Sequence, residues 1–236
     1  MHGGGGRHRA YTAAFALPLR TALSTAPPPE TPPRKRLGRE RILAAIREAA
    51  IEEFSLHGLR GASTQAIAER AGLTKPQLHY YIPGKDELYE ELLASVLEGW
   101  SHAFAFDENV MDPKRVLSDY VRKKLDYALD NPGLSRIFTG ELLAGGAHLD
   151  KYWPRARAST DQKVRLIEDW MQRGLIRPVD ARLLLMQIWA MTQHYADYQV
   201  QARVMLLLPP DAPIERAPIA RQITNSVLLL CGLAPD

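Results

Sequence analysis

Between Gly61 and Leu88 the chain concentrates groups able to hydrogen-bond a base edge or a polyanion: Lys75, Gln77, His79, Tyr80 and Tyr81, with Lys85 close behind. Glutamine can pair with adenine through two parallel bonds, and lysine can reach guanine acceptors or a phosphate. Tyrosine and histidine can donate to phosphate oxygens, which fixes register rather than sequence. A second cluster, Gln193-His194-Tyr195-x-Asp197, sets an amide, an imidazole and a carboxylate in an otherwise apolar stretch. On a helix, Gln193 and Asp197 are four apart and share a face; His194 and Asp197 are three apart and also neighbours. Such groups are costly to bury unpaired, so they require each other, another subunit, water or a ligand.

The first cluster needs elements to aim it. Ser63 or Thr64 can cap a short helix on which Ala66, Ile67 and Ala71 form the packed side. Gly72 lets the chain reverse without a Cβ penalty. Thr74 can cap a second short helix with Pro76 in its first turn, where a missing amide hydrogen costs little. Leu73 and Leu78 remain for packing. The result is a helix-turn-helix, with Lys75 and Gln77 at the end where a recognition helix meets base edges. The alternative is a helical hairpin whose polar side chains are merely solvated.

The run Thr64-x-x-Ile67-Ala68-x-x-Ala71-Gly72-Leu73-Thr74-Lys75, then Leu78-x-Tyr80-Tyr81-Ile82-Pro83-Gly84-Lys85-Asp86-Glu87-Leu88, resembles the TetR family of one-component regulators. The preceding Phe54-x-x-x-Gly58 fits as well. Ile82 departs from the pattern where an aromatic is common, and Gly84 where Ser or Asn usually caps the next helix. Glycine at that cap costs only a few tenths of a kcal/mol. The resemblance implies an all-α protein with an N-terminal three-helix helix-turn-helix domain and a C-terminal helical domain for effector binding and dimerisation. It implies a homodimer through a four-helix interface, a near-palindromic double-stranded operator, and an effector that shifts the helix beginning at Asp86. The expected DNA-contacting set is Thr64, Lys75, Pro76, Gln77, His79, Tyr80, Tyr81 and Lys85.

Three C-terminal segments carry the likeness further, to a pyrimidine-responsive branch of that family: Ser135-Arg136-x-Phe138-x-x-Glu141-x-Leu143-Ala144-Gly145, Leu166-Ile167-x-x-Trp170-x-x-x-Gly174 and Ile188-Trp189-Ala190-x-Thr192-Gln193-His194-Tyr195-Ala196-Asp197-Tyr198. This implies uracil, thymine or a related catabolite as effector. Such a ring offers adjacent donor and acceptor edges that an amide or carboxylate can read, and a flat face for an aromatic ring. The expected ligand set is Phe138, Glu141, Trp170, Trp189, Gln193, His194 and Asp197. Against it stand plainer roles: His194 pairing with Asp197, either group crossing a dimer interface, and tryptophans serving as core. A larger hydrophobic effector and an effector-independent DNA binder are the rival functions.

With 236 residues, 46% of them hydrophobic, the chain can bury one large core or two modest ones. Its net charge of +3 is small, so any basic surface is local. One such cluster is Arg34-Lys35-Arg36 with Arg39 and Arg41, suited to an arm along phosphates or to a solvated domain start. Cys231 is the single cysteine, which excludes an intrachain disulfide and suits a cytoplasmic location. No zinc-ligand spacing, nucleophile elbow or phosphate loop is present, so neither a metal, a cofactor nor an enzyme is expected. No apolar run reaches the ~20 residues of a membrane span.

Residues 1–33, with Gly3 to Gly6 and two proline runs, read as a tail. A secretory leader fits less well, because Pro18 and Arg20 interrupt its apolar patch. The helix-turn-helix domain is assigned to 34–85 and the effector and dimerisation domain to 86–236. Helical periodicity predicts a first helix from about Arg39 to Leu56, ended by His57-Gly58, and one from Asp86 to about Phe106. Five more follow: from Asp112-Pro113 to Asn131, Leu134 to Ala144, one ending near Gly174, Asp180 to Tyr198, and Ile219 to Leu230. The Asp180–Tyr198 helix is apolar nearly all round and must be buried in the core or between subunits.

Overall fold

The computed structural model describes residues 33–104, 106, 112–209 and 212–235, and these are helical with no strand among them. The expected tail lies outside the described residues up to position 32. Pro33 already belongs to helix α1 (Pro33–Gly61), so Arg34-Lys35-Arg36 ride on helical backbone rather than on an extended arm. Gly58, at φ 62°, breaks α1 where the sequence marked its end, and the chain adds one further turn before Gly61. Helices α2 (Thr64–Arg70) and α3 (Lys75–Tyr81) follow, separated by Gly72 at φ 69°, a conformation glycine adopts without strain.

Helix α4 (Lys85–Ala103) leads to α5 (Pro113–Asp130), capped by the Asp112 carboxylate on the Lys114 amide at 3.0 Å. Asn131 ends α5, and Pro132 at once begins α6 (Pro132–Leu143). A 3₁₀ helix, Ala147–Tyr152, then runs straight into α7 (Trp153–Gln172). Helix α8 (Ala181–Asp197) breaks at Tyr198, and a short α9 (Gln199–Met205) precedes α10 (Arg216–Leu230). The 3₁₀ helix and α9 were not expected, and α10 starts three residues before Ile219. Both unexpected elements are short continuations across a local break, which periodicity does not resolve.

Two apolar clusters hold the chain. One joins α1 to α4 with α6 around Ile46, Phe54, Ile67, Leu78, Leu92 and Ile137. The other joins α5, α7, α8 and α10 around Leu117, Leu125, Ile167, Trp170, Leu185 and Val227. Trp100 on α4 packs against both. Helix α8 buries Leu184, Leu185, Ile188, Thr192 and Ala196 but leaves Leu183 and Met186 exposed, so a single chain covers only one of its faces.

Helices α1 and α6 approach so closely that a Cβ at Gly133 would lie 2.6 Å from Cγ2 of Ile51. Gly133→Ala is therefore expected to overpack this contact and lower stability by about 1–3 kcal/mol. Urea unfolding of the two proteins checks this; an unchanged midpoint would mean that the helices separate without cost.

Candidate DNA interface and effector site

The helix-turn-helix is braced before it is aimed. Glu53 of α1 is buried and accepts from the Ser63 amide at 3.2 Å and lies 3.4 Å from the Arg70 guanidinium, while Arg70 also pairs with Glu52. Arg47 donates to Ser95 Oγ at 2.8 Å and ties α1 to α4. Of the two candidate caps for α2 it is Ser63 that serves, accepting from the amides of Gln65 and Ala66. Thr64 is the first helical residue and is half-buried.

Helix α3 opens with reciprocal capping. The Gln77 amide donates to Thr74 Oγ1 at 3.4 Å, and Gln77 Oε1 accepts from the Thr74 amide at 2.8 Å and its hydroxyl at 3.1 Å. Lys75, Pro76, Gln77 and His79 are exposed. Tyr80 is 77% exposed and meets the half-buried Tyr81 edge-on at 5.1 Å. Buried Leu78 anchors the opposite side of α3. One expected contact is placed differently: Lys85 Nζ donates to the carbonyls of Leu59 at 3.0 Å and Ala62 at 3.1 Å. Two of its three donors thus cap the end of α1 and lock α4 against it. Gln77 likewise has its side-chain carbonyl oxygen already occupied, so a bidentate adenine contact requires that cap to open.

In the C-terminal half the seven expected ligand residues take different partners. Glu141 is buried and fully engaged: it accepts from Tyr89 Oη at 3.1 Å and from the His148 amide at 3.0 Å, with His148 Nδ1 also at 3.0 Å. Asp197 does not pair with His194. Its oxygens accept from Ser135 Oγ at 2.5 Å and Thr139 Oγ1 at 2.7 Å, both on α6. His194 is exposed and stacks on Tyr198 at 5.3 Å. Gln193 is half-buried. Trp189 donates to Tyr120 Oη at 2.7 Å. Phe138 lies edge-on to Trp100 at 4.5 Å, and Trp170 is fully buried, stacked on Phe106 at 6.0 Å.

The structure adds a residue that the sequence reading passed over. Lys124 of α5 is only 6% exposed, and its Nζ sits 4.6 Å from the ring centroids of both Trp100 and Phe104. Burial pushes it down to about 7; the nearby charge of Lys163 adds to this and Asp197 opposes it. Lys163 of α7 is also buried and lowered by desolvation, with Nζ on Ser159 Oγ at 3.0 Å. The signal was present in the sequence. Lys124 falls within the apolar stripe Leu117, Tyr120, Val121, Leu125, Ala128 of α5, where a solvated lysine has no place.

This burial has a sign. Folded, Lys124 gives up its proton near pH 7, whereas the unfolded chain holds it to about 10.5. Above pH 7 the unfolded state binds more protons, so stability rises with pH. The melting temperature is expected to climb between about pH 7 and 9. Lys124→Met should flatten most of that climb. A wild-type curve already flat over this window would contradict the assignment.

Comparison with known proteins agrees with this architecture. Residues 46–92 match the family "Bacterial regulatory proteins, tetR family", and residues 93–233 match "YcdC-like protein, C-terminal region". The chain is 37% identical over 162 residues to the HTH-type transcriptional regulator RutR of Escherichia coli strain K12, covering 68% of this chain and 76% of that protein. It is 31% identical over 137 residues to the HTH-type transcriptional repressor SCO4008 of Streptomyces coelicolor, covering 58% and 68%. Among solved structures, the ketosteroid transcriptional regulator KstR2 of Mycobacterium tuberculosis superposes with a TM-score of 0.66 at 20% identity, covering 82% of this chain and 95% of that one. AibR, solved with isovaleryl coenzyme A and operator DNA, gives 0.62 at 20% identity, covering 79% and 97%. These relatives are regulators rather than enzymes, and the chain belongs to the TetR family of bacterial transcriptional regulators.

Proposed function

We propose that the protein is a homodimeric repressor that grips a near-palindromic operator through α3 and releases it when a pyrimidine catabolite of the uracil or thymine type is bound. In this reading residues 34–85 bind DNA and residues 86–236 bind the effector and the second subunit. The observation that carries it is the 37% identity to RutR, which runs for 162 residues, far beyond the 46–92 stretch shared by TetR proteins at large. Effector domains must fit particular ligands, so likeness there bears on the ligand and not only on DNA binding.

The dimer is supported by what one chain leaves uncovered. Leu183 and Met186 on α8, Leu229 and Leu230 on α10, and Val200, Val204 and Met205 on α9 are all exposed. Leu207, just past α9, is 89% exposed. An apolar band of this kind marks an interface, and an isologous pairing gives the two-fold symmetry of a palindromic site.

Fluorescence anisotropy on DNA from upstream of the gene and its neighbours tests the regulatory reading. Tight binding is expected, lost on titration with uracil or thymine. Gln77→Ala should relax discrimination at one base pair by less than the about 1–3 kcal/mol of a bidentate contact, because its side-chain carbonyl oxygen caps α3, whereas Lys75→Ala should weaken all sequences and flatten the salt dependence. Binding that ignores both pyrimidines would remove the effector reading and leave the DNA reading standing. Separately, Met186→Arg is expected to halve the mass measured by light scattering; an unchanged mass would place the interface elsewhere.

A further inference from the structure

We propose that the Lys124 ammonium, walled by Trp100 and Phe104, anchors a delocalised oxyanion carried on a flat ring: a carboxylate, or the deprotonated imide of a heterocycle. This rests on the effector-responsive reading above and specifies how the effector is held. Lys124 is more than nine-tenths buried, and its Nζ makes no hydrogen bond among the described residues. Two ring faces at 4.6 Å stabilise a cation but satisfy none of its three N–H donors. The Asp197 carboxylate acts on this ammonium without hydrogen-bonding to its Nζ, and an anion bound directly at Nζ relieves the cost of burying it.

The surrounding inventory points the same way, because the buried donors are in excess. Trp100 Nε1 and Trp170 Nε1 are buried without any hydrogen-bond partner. They belong to one aromatic cluster: Trp100 to Phe104 at 6.5 Å, Phe104 to Tyr120 at 6.3 Å, Tyr120 to Phe106 at 5.0 Å, and Phe106 to Trp170 at 6.0 Å. Lys163 supplies a second buried amine whose charge acts on Lys124. The carboxylates, by contrast, are occupied. Asp197 serves Ser135 and Thr139, Glu141 serves Tyr89 and His148, and Tyr120 Oη serves Trp189. At Lys124 itself, the free ammonium donors, the unpaired Trp100 Nε1 and the two ring faces suit a planar molecule presenting oxygens. The site recognises such a ligand by its carbonyl or carboxylate edge rather than by its N–H groups.

Isothermal titration of the full-length protein with three probes tests this. Uracil is neutral at neutral pH, barbiturate has a similar ring but is an anion, and benzoate is a flat carboxylate of another skeleton. An anionic probe is expected to bind at least about 10-fold tighter than uracil, and Lys124→Met to weaken it by about 10- to 100-fold. Trp100→Phe keeps the ring, removes one donor, and is expected to give a smaller loss. Thermal melts without ligand show whether each variant folds; Lys124→Met is expected to melt no lower than wild type, and should it not fold, Trp100→Phe decides. Uracil binding as tightly as barbiturate, or anion binding unaffected by either variant, overturns the anchor while leaving pyrimidine response intact. Benzoate binding without either pyrimidine supports the anchor and refutes the pyrimidine reading. Absence of binding by both anions overturns the anchor.

Discussion

Helix α6 is held on both sides by carboxylate hydrogen bonds, one carboxylate half-buried and the other buried, and the rest of the molecule depends on that double attachment. On one side Asp197 of α8 accepts the hydroxyls of Ser135 and Thr139. On the other, Glu141 of α6 itself accepts from Tyr89 of α4 and from His148 of the 3₁₀ helix. Such bonds fix the helices in one register, and losing the Glu141 carboxylate would leave the buried Tyr89 hydroxyl without its carboxylate acceptor. The same helix touches α1 at Gly133 and Ile51 and meets Trp100 of α4 through Phe138. DNA-binding and C-terminal halves therefore meet through packed side chains, not only through the covalent run of α4.

That arrangement suggests a physical route for regulation. Tyr89 lies edge-on to Phe54 of α1 at 5.1 Å while its hydroxyl reaches Glu141. Trp100, about three turns further along α4, contacts Lys124 of α5 and Phe138 of α6. A molecule entering beside Trp100 would thus act on the helices that position α1 to α3. For DNA affinity to change, it must bind one arrangement of α4 and α6 better than another; tight binding alone shifts nothing.

The reading of the DNA-binding half was largely legible in the sequence because its signals are local. The Thr74 and Gln77 capping partners are three residues apart, Gly72 marks the reversal, and Asp112-Pro113 starts a helix. Lys85 is the exception. Its charge looked available for phosphate, yet the Leu59 and Ala62 carbonyls that hold it are more than twenty residues away. The C-terminal site was less legible for the same reason. Ser135 and Thr139 meet Asp197 across about sixty residues, and His194, its neighbour on the same helix, turns out to solvent.

By itself the sequence determined an all-α chain, a helix-turn-helix between Ser63 and Tyr81, and the presence of polar groups in an apolar C-terminal half that had to find partners. These follow from capping, turn chemistry and periodicity, which act over one or two helical turns. Only the tertiary structure decided which partners those groups took. It engaged Glu141 and Asp197 internally, left Trp100 and Trp170 with unpaired N–H groups, and set Lys124 between two aromatic rings. Burial and long-range pairing are properties of packed surfaces, and a linear order of residues does not state which surfaces meet.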